Sequence, residues 1–243
     1  MVDGFMECKE CFFFDAGNTI IRLSPSREEL LMGILDERGI GVTLGQIKVG
    51  FMLNDREFNI GGFTLLSQED RERFWVEYTR GLLESIGIEM ENPDGLSSSV
   101  AGAFNSPESW EEFPDVRPTL ENLIDSGCTL AVISNAEFFL KDTLNRLDLS
   151  KYFETIVMSE EIGVEKPDPR IFKIALDRVG MSAERCVHVG DLIETDVKGA
   201  MSCGITPVWL DRQRLGKKVP GILRIDTLRD LPVMFALPAD GRS

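Results

Sequence analysis

Asp15, Ser134, Lys166, Asp191 and Asp196 are the side chains whose types and spacing allow chemistry in this chain. Asp15 ends the apolar run Cys11-Phe12-Phe13-Phe14 and opens a turn through Gly17, Asn18 and Thr19. Taken alone, an acid after a buried-strand pattern is as compatible with a helix cap or turn former as with a nucleophile or metal ligand. Ser134 and Asn135 close a second apolar run that begins at Leu130. Lys166 stands in Glu165-Lys166-Pro167-Asp168-Pro169, and Asp191 closes Val187-His188-Val189-Gly190, with Asp196 five residues on. The C-terminal ends of parallel strands lie on one side of a sheet, so these groups are expected to converge there. Carboxylates at that density repel one another unless a cation sits among them, and hard oxygen ligands suit Mg²⁺. A hydroxyl, a lysine and turn amides suit a phosphate. The chemistry implied is Mg²⁺-assisted phosphoryl transfer with an aspartate nucleophile.

For these groups to meet, the chain must supply the strands. From residue 118 onward helical and strand patterns alternate: helices over 118–126, 137–147, 169–179 and 193–202, with strands over 129–133, 155–158, 186–189 and 206–210. A short strand near 222–225 and a helix from 227 follow. Such alternation predicts an α/β fold with a doubly wound, Rossmann-like parallel sheet, which the strand before Asp15 joins. Between these parts, helical spacing over 27–38, 44–58, 68–86 and 93–104 makes residues 23–113 an all-helical insertion, free of strands. The expected domains are therefore a core of 1–22 with 114–243 and an inserted helical domain of 23–113. Gly61-Gly62 reads as a helix-breaking turn near Arg56 and Phe58, and residues 238–243 as a frayed tail.

Composition removes several function classes. With 41 acidic against 26 basic residues the net charge is −15, which argues against non-specific binding to nucleic acid or an anionic membrane. No apolar run approaches a membrane span, and no basic segment precedes an apolar one at the start, so the expected location is cytoplasmic. The five cysteines include Cys8 and Cys11 at C-x-x-C spacing, but there is no second such pair and His188 is the only histidine. A zinc site would lack ligands, and a redox pair would open a helix rather than lead into a strand; partly buried thiols are expected instead. His188 itself, inside an apolar strand, reads as a core histidine.

In order along the chain, the apolar strand with Asp-x-x-x-Thr, the strand ending Ser-Asn, Lys-Pro-Asp-Pro-x-Ile-Phe and Gly-Asp-x-x-x-x-Asp resemble the haloacid dehalogenase superfamily of hydrolases. The resemblance spans Phe12 to Gly199, and the helical insertion is similar to that superfamily's mobile cap. It implies a phosphatase-like enzyme in which Asp15 attacks phosphorus and forms an aspartyl-phosphate. The Gly17 carbonyl and Asp191 would then hold Mg²⁺ beside Asp15. Ser134, Asn135, Lys166 and Thr19 would serve the phosphate and its turn, and Asp196 would bind the metal's water shell or hold Lys166. The implied substrate is a small phosphorylated metabolite. Asp168 and Pro169 read as a helix cap and first-turn proline.

One departure stands out. Phosphatases of the superfamily generally carry a second aspartate two residues after the nucleophile, which protonates the leaving group and then activates water. Here that position is Gly17, with Asn18 after it where glycine is usual. General acid–base help is worth about 10²–10⁴-fold, so both half-reactions should be slow unless another group substitutes. The resemblance leaves three alternatives. Metal-independent 2-haloacid dehalogenation is opposed by Gly190-Asp191. Phosphonoacetaldehyde hydrolase-like cleavage would need a cap lysine as Schiff base, and Lys48 is the only lysine in the insertion and reads as a solvated one. The third is a degenerate member that binds a phosphorylated ligand or a protein without turnover.

Overall fold

The structure, a computed structural model, describes residues 9–57, 67–89, 93–137, 139–214 and 219–237. Cys8, Phe58, Gly61, Gly62 and the tail 238–243 lie outside the described residues, as does the side chain of Arg56. The chain divides into two compact units, Met1–Arg22 with Glu112–Ser243 and Leu23–Glu111. It opens with β1 (Cys11–Phe14) and β2 (Ile21–Leu23). The helices α1 (Arg27–Asp36), α2 (Leu44–Glu57), α3 (Gln68–Ser85) and α4 (Asp94–Asn105) follow. Next come β3 (Trp110–Glu112), α5 (Val116–Asp125), β4 (Thr129–Ser134), α6 (Phe139–Arg146) and β5 (Thr155–Met158). The remainder is α7 (Ser159–Ile162), α8 (Pro169–Val179), β6 (Cys186–Gly190), α9 (Lys198–Ser202), β7 (Thr206–Leu210), β8 (Leu223–Ile225) and α10 (Leu231–Met234).

Six strands form one sheet in the order β5-β4-β1-β6-β7-β8, all parallel, as the alternating pattern requires. β1 sits between β4 and β6, with Phe14 opposite Val132 on one side and Val189 on the other. All four of its residues are fully buried because both faces of the sheet are covered. Phe12 meets Phe235 edge-on at 5.5 Å between ring centroids, and Phe14 meets Phe153 at 6.4 Å. Cys11 and Phe13 point the other way, into a cluster with Ile171, Phe172, Ala175 and Ala200 of α8 and α9. Each fully buried side chain of that size contributes roughly 1.5–3 kcal/mol relative to exposure, so β1 is anchored from both faces.

The unit Leu23–Glu111 has its own core, in which Leu31, Leu35, Ile47, Phe51, Tyr78, Leu82 and Val100 are buried. Ser26 caps α1 in a capping box with Glu29, and Ser67 caps α3 by accepting from the Asp70 amide. α2 lies so close to the end of α3 that a Cβ on Gly50 would lie 2.4 Å from an Ile86 methyl, so any larger residue there would force the Ile86 side chain to move.

Three local expectations change. Residues 23–113 are not purely helical: β2 and β3 form a two-stranded sheet where the chain passes between the units. Neither has a long apolar alternation to reveal it in sequence, since Trp110-Glu111-Glu112 is only three residues of mixed polarity. The short α7, closed by Gly163 in the left-handed region, is also unforeseen. The helix expected over 193–202 opens instead as a five-residue π turn, Ile193–Val197, before α9.

Candidate active site

The turn after β1 is built from backbone hydrogen bonds that leave the Asp15 side chain at the strand's C-terminal end. The Asp15 amide donates to the Val189 carbonyl at 2.9 Å, continuing the pairing with β6. Thr19, Ile20 and Ile21 all donate to the Ala16 carbonyl at 2.9–3.2 Å, which winds the chain tightly around it. Asn18 adopts φ 56°, a left-handed conformation that asparagine tolerates better than most residues. Thr19 is fully buried beneath the turn and its hydroxyl has no hydrogen-bond partner among the described residues. Gly17 faces open space: a Cβ built there would meet nothing within 4 Å.

Lys166 is the hub. Its Nζ lies 2.6 Å from Asp15 Oδ1 and 2.6 Å from Asp196 Oδ1, and all three side chains are buried. The lysine is aimed from both ends. Asn135, at the end of β4, clasps the Lys166 backbone: its Nδ2 donates to the Lys166 carbonyl at 2.9 Å and its Oδ1 accepts from the Lys166 amide at 2.7 Å. Asp196 is fixed in turn. Its Oδ2 accepts from the Leu192 amide at 3.0 Å, while its Oδ1 also faces His188 Nε2 at 3.1 Å. The π turn arises here, because the Leu192 carbonyl accepts from both the Asp196 amide at 2.9 Å and the Val197 amide at 3.3 Å. Gly190 makes room: a Cβ on it would sit 2.3 Å from the Asp196 carboxyl carbon. Ser134 Oγ lies 3.5 Å from Asp15 Oδ1, and the Trp209 indole holds the Asp191 carbonyl at 3.0 Å.

Charge at this edge is unbalanced. Asp15, Asp191 and Asp196 bring one carboxylate oxygen each within 4.8 Å of the others, against one lysine. Burial pushes Asp15 up, against the pull of Lys166. Burial and the neighbouring charges of Asp15 and Asp196 push Asp191 up to about 8. Burial acts on Asp196 too, but Lys166 and His188 outweigh it and hold its carboxyl well below the usual range. Lys166 is correspondingly raised: burial opposes its charge, and the two aspartates more than compensate. His188 is pushed down by burial. The donor set is hard, anionic and short of positive charge, which fits a divalent cation such as Mg²⁺. Asp15 and Asp191 are the fitting ligands. Asp196 is near enough, yet both its oxygens are already engaged by Lys166, His188 and Leu192.

Asp15, Ser134, Lys166, Asp191 and Asp196 are thus brought together, with Asn135 behind Lys166. Asn135 and Thr19 are placed as supports: the amide of the first is spent on the Lys166 backbone, and the hydroxyl of the second is shut inside the turn. Asp168 caps α8 through the Arg170 amide, with Pro169 in the first turn. Lys48 is exposed on α2. Two contacts have no sequence signal. One is His188 against Asp196, eight residues apart. The other is a clamp in which Arg212 donates to the Thr19 carbonyl at 2.7 Å and to both oxygens of Asp115 at 2.9 and 3.0 Å. Asp115 and Arg212 are 97 residues apart, and neither stands in a motif.

The sequence pattern of the haloacid dehalogenase-like hydrolases matches residues 9–204. Haloacid dehalogenase-like hydrolase domain-containing protein 3 of Danio rerio is 28% identical over 227 residues, covering 90% of this chain and 93% of the relative. A glyceraldehyde 3-phosphate phosphatase of Methanopyrus kandleri is 38% identical over 133 residues, 54% of this chain and 57% of that protein. Among solved structures, the HAD-hydrolase YfnB from Bacillus subtilis, bound to magnesium, superposes with a TM-score of 0.76 at 19% identity, over 94% of this chain and 99% of that one.

Proposed function

The chain belongs to the haloacid dehalogenase-like hydrolases, and from that premise we propose that it is a Mg²⁺-dependent phosphatase of a small phosphorylated metabolite, working through an aspartyl-phosphate on Asp15. The observation that carries this reading is the buried Lys166 ammonium bridging Asp15 and Asp196 at 2.6 Å each, with Asp191 beside them in excess of the available positive charge. The phosphatase name of a relative matched over about half its length supports it. The residues 23–113 are read as the cap that covers the site during turnover.

An Asp15 carboxylate oxygen attacks phosphorus in line, the bond to the leaving oxygen breaks, and the electron pair leaves with that oxygen. Water then attacks the aspartyl-phosphate and releases inorganic phosphate, returning the carboxylate. Lys166 opposes the effect of burial on Asp15 and faces the anionic phosphoryl group, while Ser134 offers a hydroxyl donor beside it. Mg²⁺, held by Asp15 and Asp191, would supply charge neutralisation on the transferring phosphoryl oxygens. Gly17 carries no acid to protonate the leaving oxygen or to take a proton from water, so turnover is slow on substrates with poor leaving groups.

The test is rapid-mixing release of p-nitrophenol from p-nitrophenyl phosphate, with Mg²⁺ and with EDTA. That leaving group needs little protonation. A Mg²⁺-dependent burst close to one per enzyme, followed by slow turnover, is expected. Absence of both burst and turnover overturns the reading. The open, side-chain-free position at Gly17 favours one second reading, a ligand-binding member without turnover; tight, Mg²⁺-dependent binding of a phosphorylated compound with no burst would identify it.

A further inference from the structure

His188 is the single histidine of the chain, and the steps above do not use it. It sits on the face of β6 shared with Cys186 and Gly190, beneath α8, with its ring edge-on to Phe172 at 5.2 Å. Its side chain is completely buried. Nε2 faces Asp196 Oδ1 at 3.1 Å, the same oxygen that receives the Lys166 ammonium at 2.6 Å. Nδ1 has no hydrogen-bond partner among the described residues.

The geometry fixes the ring's form. An ionised carboxylate only accepts hydrogen bonds, so Nε2 must carry a proton. Nδ1, buried beside Phe172 with nothing among the described residues to donate to, is then bare, and the ring is the neutral Nε2–H tautomer. A bare buried nitrogen is unfavourable, and a leucine or valine would fill the same strand position without that cost. What the histidine offers that those cannot is a third donor on Asp196. With Leu192 on Oδ2, and His188 and Lys166 on Oδ1, the carboxylate is gripped from three sides. It therefore cannot rotate away from Lys166 or towards a cation at Asp15 and Asp191.

We infer that His188 is a positioning residue: through Nε2–H it fixes the Asp196 carboxylate, which in turn holds the Lys166 ammonium on the nucleophile Asp15. The inference rests on the phosphatase reading for its kinetic consequence but not for its structural content. The experiments therefore divide along that line.

The structural arm uses the whole chain labelled with ¹⁵N-histidine, in which one residue gives the entire ring signal. At pH 7 the spectrum should show one protonated nitrogen, Nε2, and one bare nitrogen, Nδ1. The Nε2–H resonance should move in Asp196→Ala. An averaged pair of tautomers, or the Nδ1–H form, overturns the inference whether or not the protein has activity. The kinetic arm compares His188→Leu with His188→Gln, whose amide nitrogen reaches the position of Nε2. His188→Leu should lower the burst rate with p-nitrophenyl phosphate at least tenfold with KM within about twofold, and His188→Gln should recover most of it. A core-filling role predicts that His188→Leu is as fast as the parent, and that result overturns the inference. If the parent itself gives no burst, the phosphatase reading fails, and the ¹⁵N spectrum alone decides the role of His188. The same spectrum decides it if His188→Leu does not fold.

Discussion

Two buried ion networks lie in the same unit, and they are balanced in opposite ways. In one, Asp115 faces a single guanidinium and every acceptor is filled: Arg212 reaches both oxygens, and Thr227 Oγ1 and the Leu228 amide add bonds at 2.8 and 2.9 Å. Arg212 also stacks on Phe113, 3.8 Å from the ring centroid. Burial raises the Asp115 carboxyl, but the hydrogen bonds from Arg212 and its neighbours win and hold it below the ordinary value. In the other, three aspartates share one lysine, and Asp15 and Asp191 are pushed up. The first network matches each carboxylate oxygen of Asp115 with donors and ties the turn after Asp15 to the far edge of the sheet through the Thr19 carbonyl. The second carries more carboxylates than its lysine can match, the excess that the proposed Mg²⁺ would offset. Buried charge that is matched reads as architecture, and buried charge that is unmatched reads as a site.

That contrast can be broken experimentally. Asp15→Asn removes the proposed nucleophile from the unmatched network, so burst and turnover should fall by about four orders of magnitude or more, while the melting temperature holds or rises. A loss of folding instead would mean that the acid-rich edge is itself structural. Gly17→Asp adds a fourth acid where a side chain meets no obstruction. Steady-state hydrolysis should rise by about 10²–10⁴-fold with Mg²⁺, and an unchanged rate would show that the missing acid does not limit turnover.

Asp115→Ala strikes the matched network. It leaves Arg212 buried without its carboxylate, so urea denaturation should show a loss of about 3 kcal/mol, with turnover per folded molecule changing less than tenfold.

The two networks should also respond to pH with opposite signs. Asp115 is lowered in the folded state, so its stabilisation is in place above the unfolded value of about 3.9 and is lost as pH falls through the folded value. Asp191 is raised to about 8, so the metal-free protein loses stability as pH rises from the unfolded value towards about 8. Asp191→Asn should remove that decline, roughly 1–3 kcal/mol in denaturation at pH 8, and should abolish stabilisation by Mg²⁺. The smallest effect sharpens the same point: adding Mg²⁺ to the parent at pH 7 in weak buffer should release about one proton per site, and none from Asp191→Asn.

Much of this was legible beforehand because strand ends in a parallel sheet share an edge. The apolar runs before Asp15, Ser134 and Asp191 named the strands, and their order along the chain then required convergence. Lys166 was legible from its motif. What it rests on was not, because Asn135 clasps its backbone across 31 residues and spends on support an amide expected to serve substrate. The π turn at Ile193–Val197 was hidden too, since a local helical pattern cannot show that one carbonyl will serve two amides around a diverted carboxylate.

The sequence by itself determined the parallel α/β core, the helical insertion, the acids and lysine at the site, and the absence of an acid at Gly17, because these depend on local periodicity and residue type. Tertiary structure alone decided which charges are matched. Pairings such as Arg212 with Asp115, or His188 with Asp196 and Lys166, arise where strands and turns distant in sequence meet. The balance of burial against those partners then sets which carboxylates are pulled down and which are left raised.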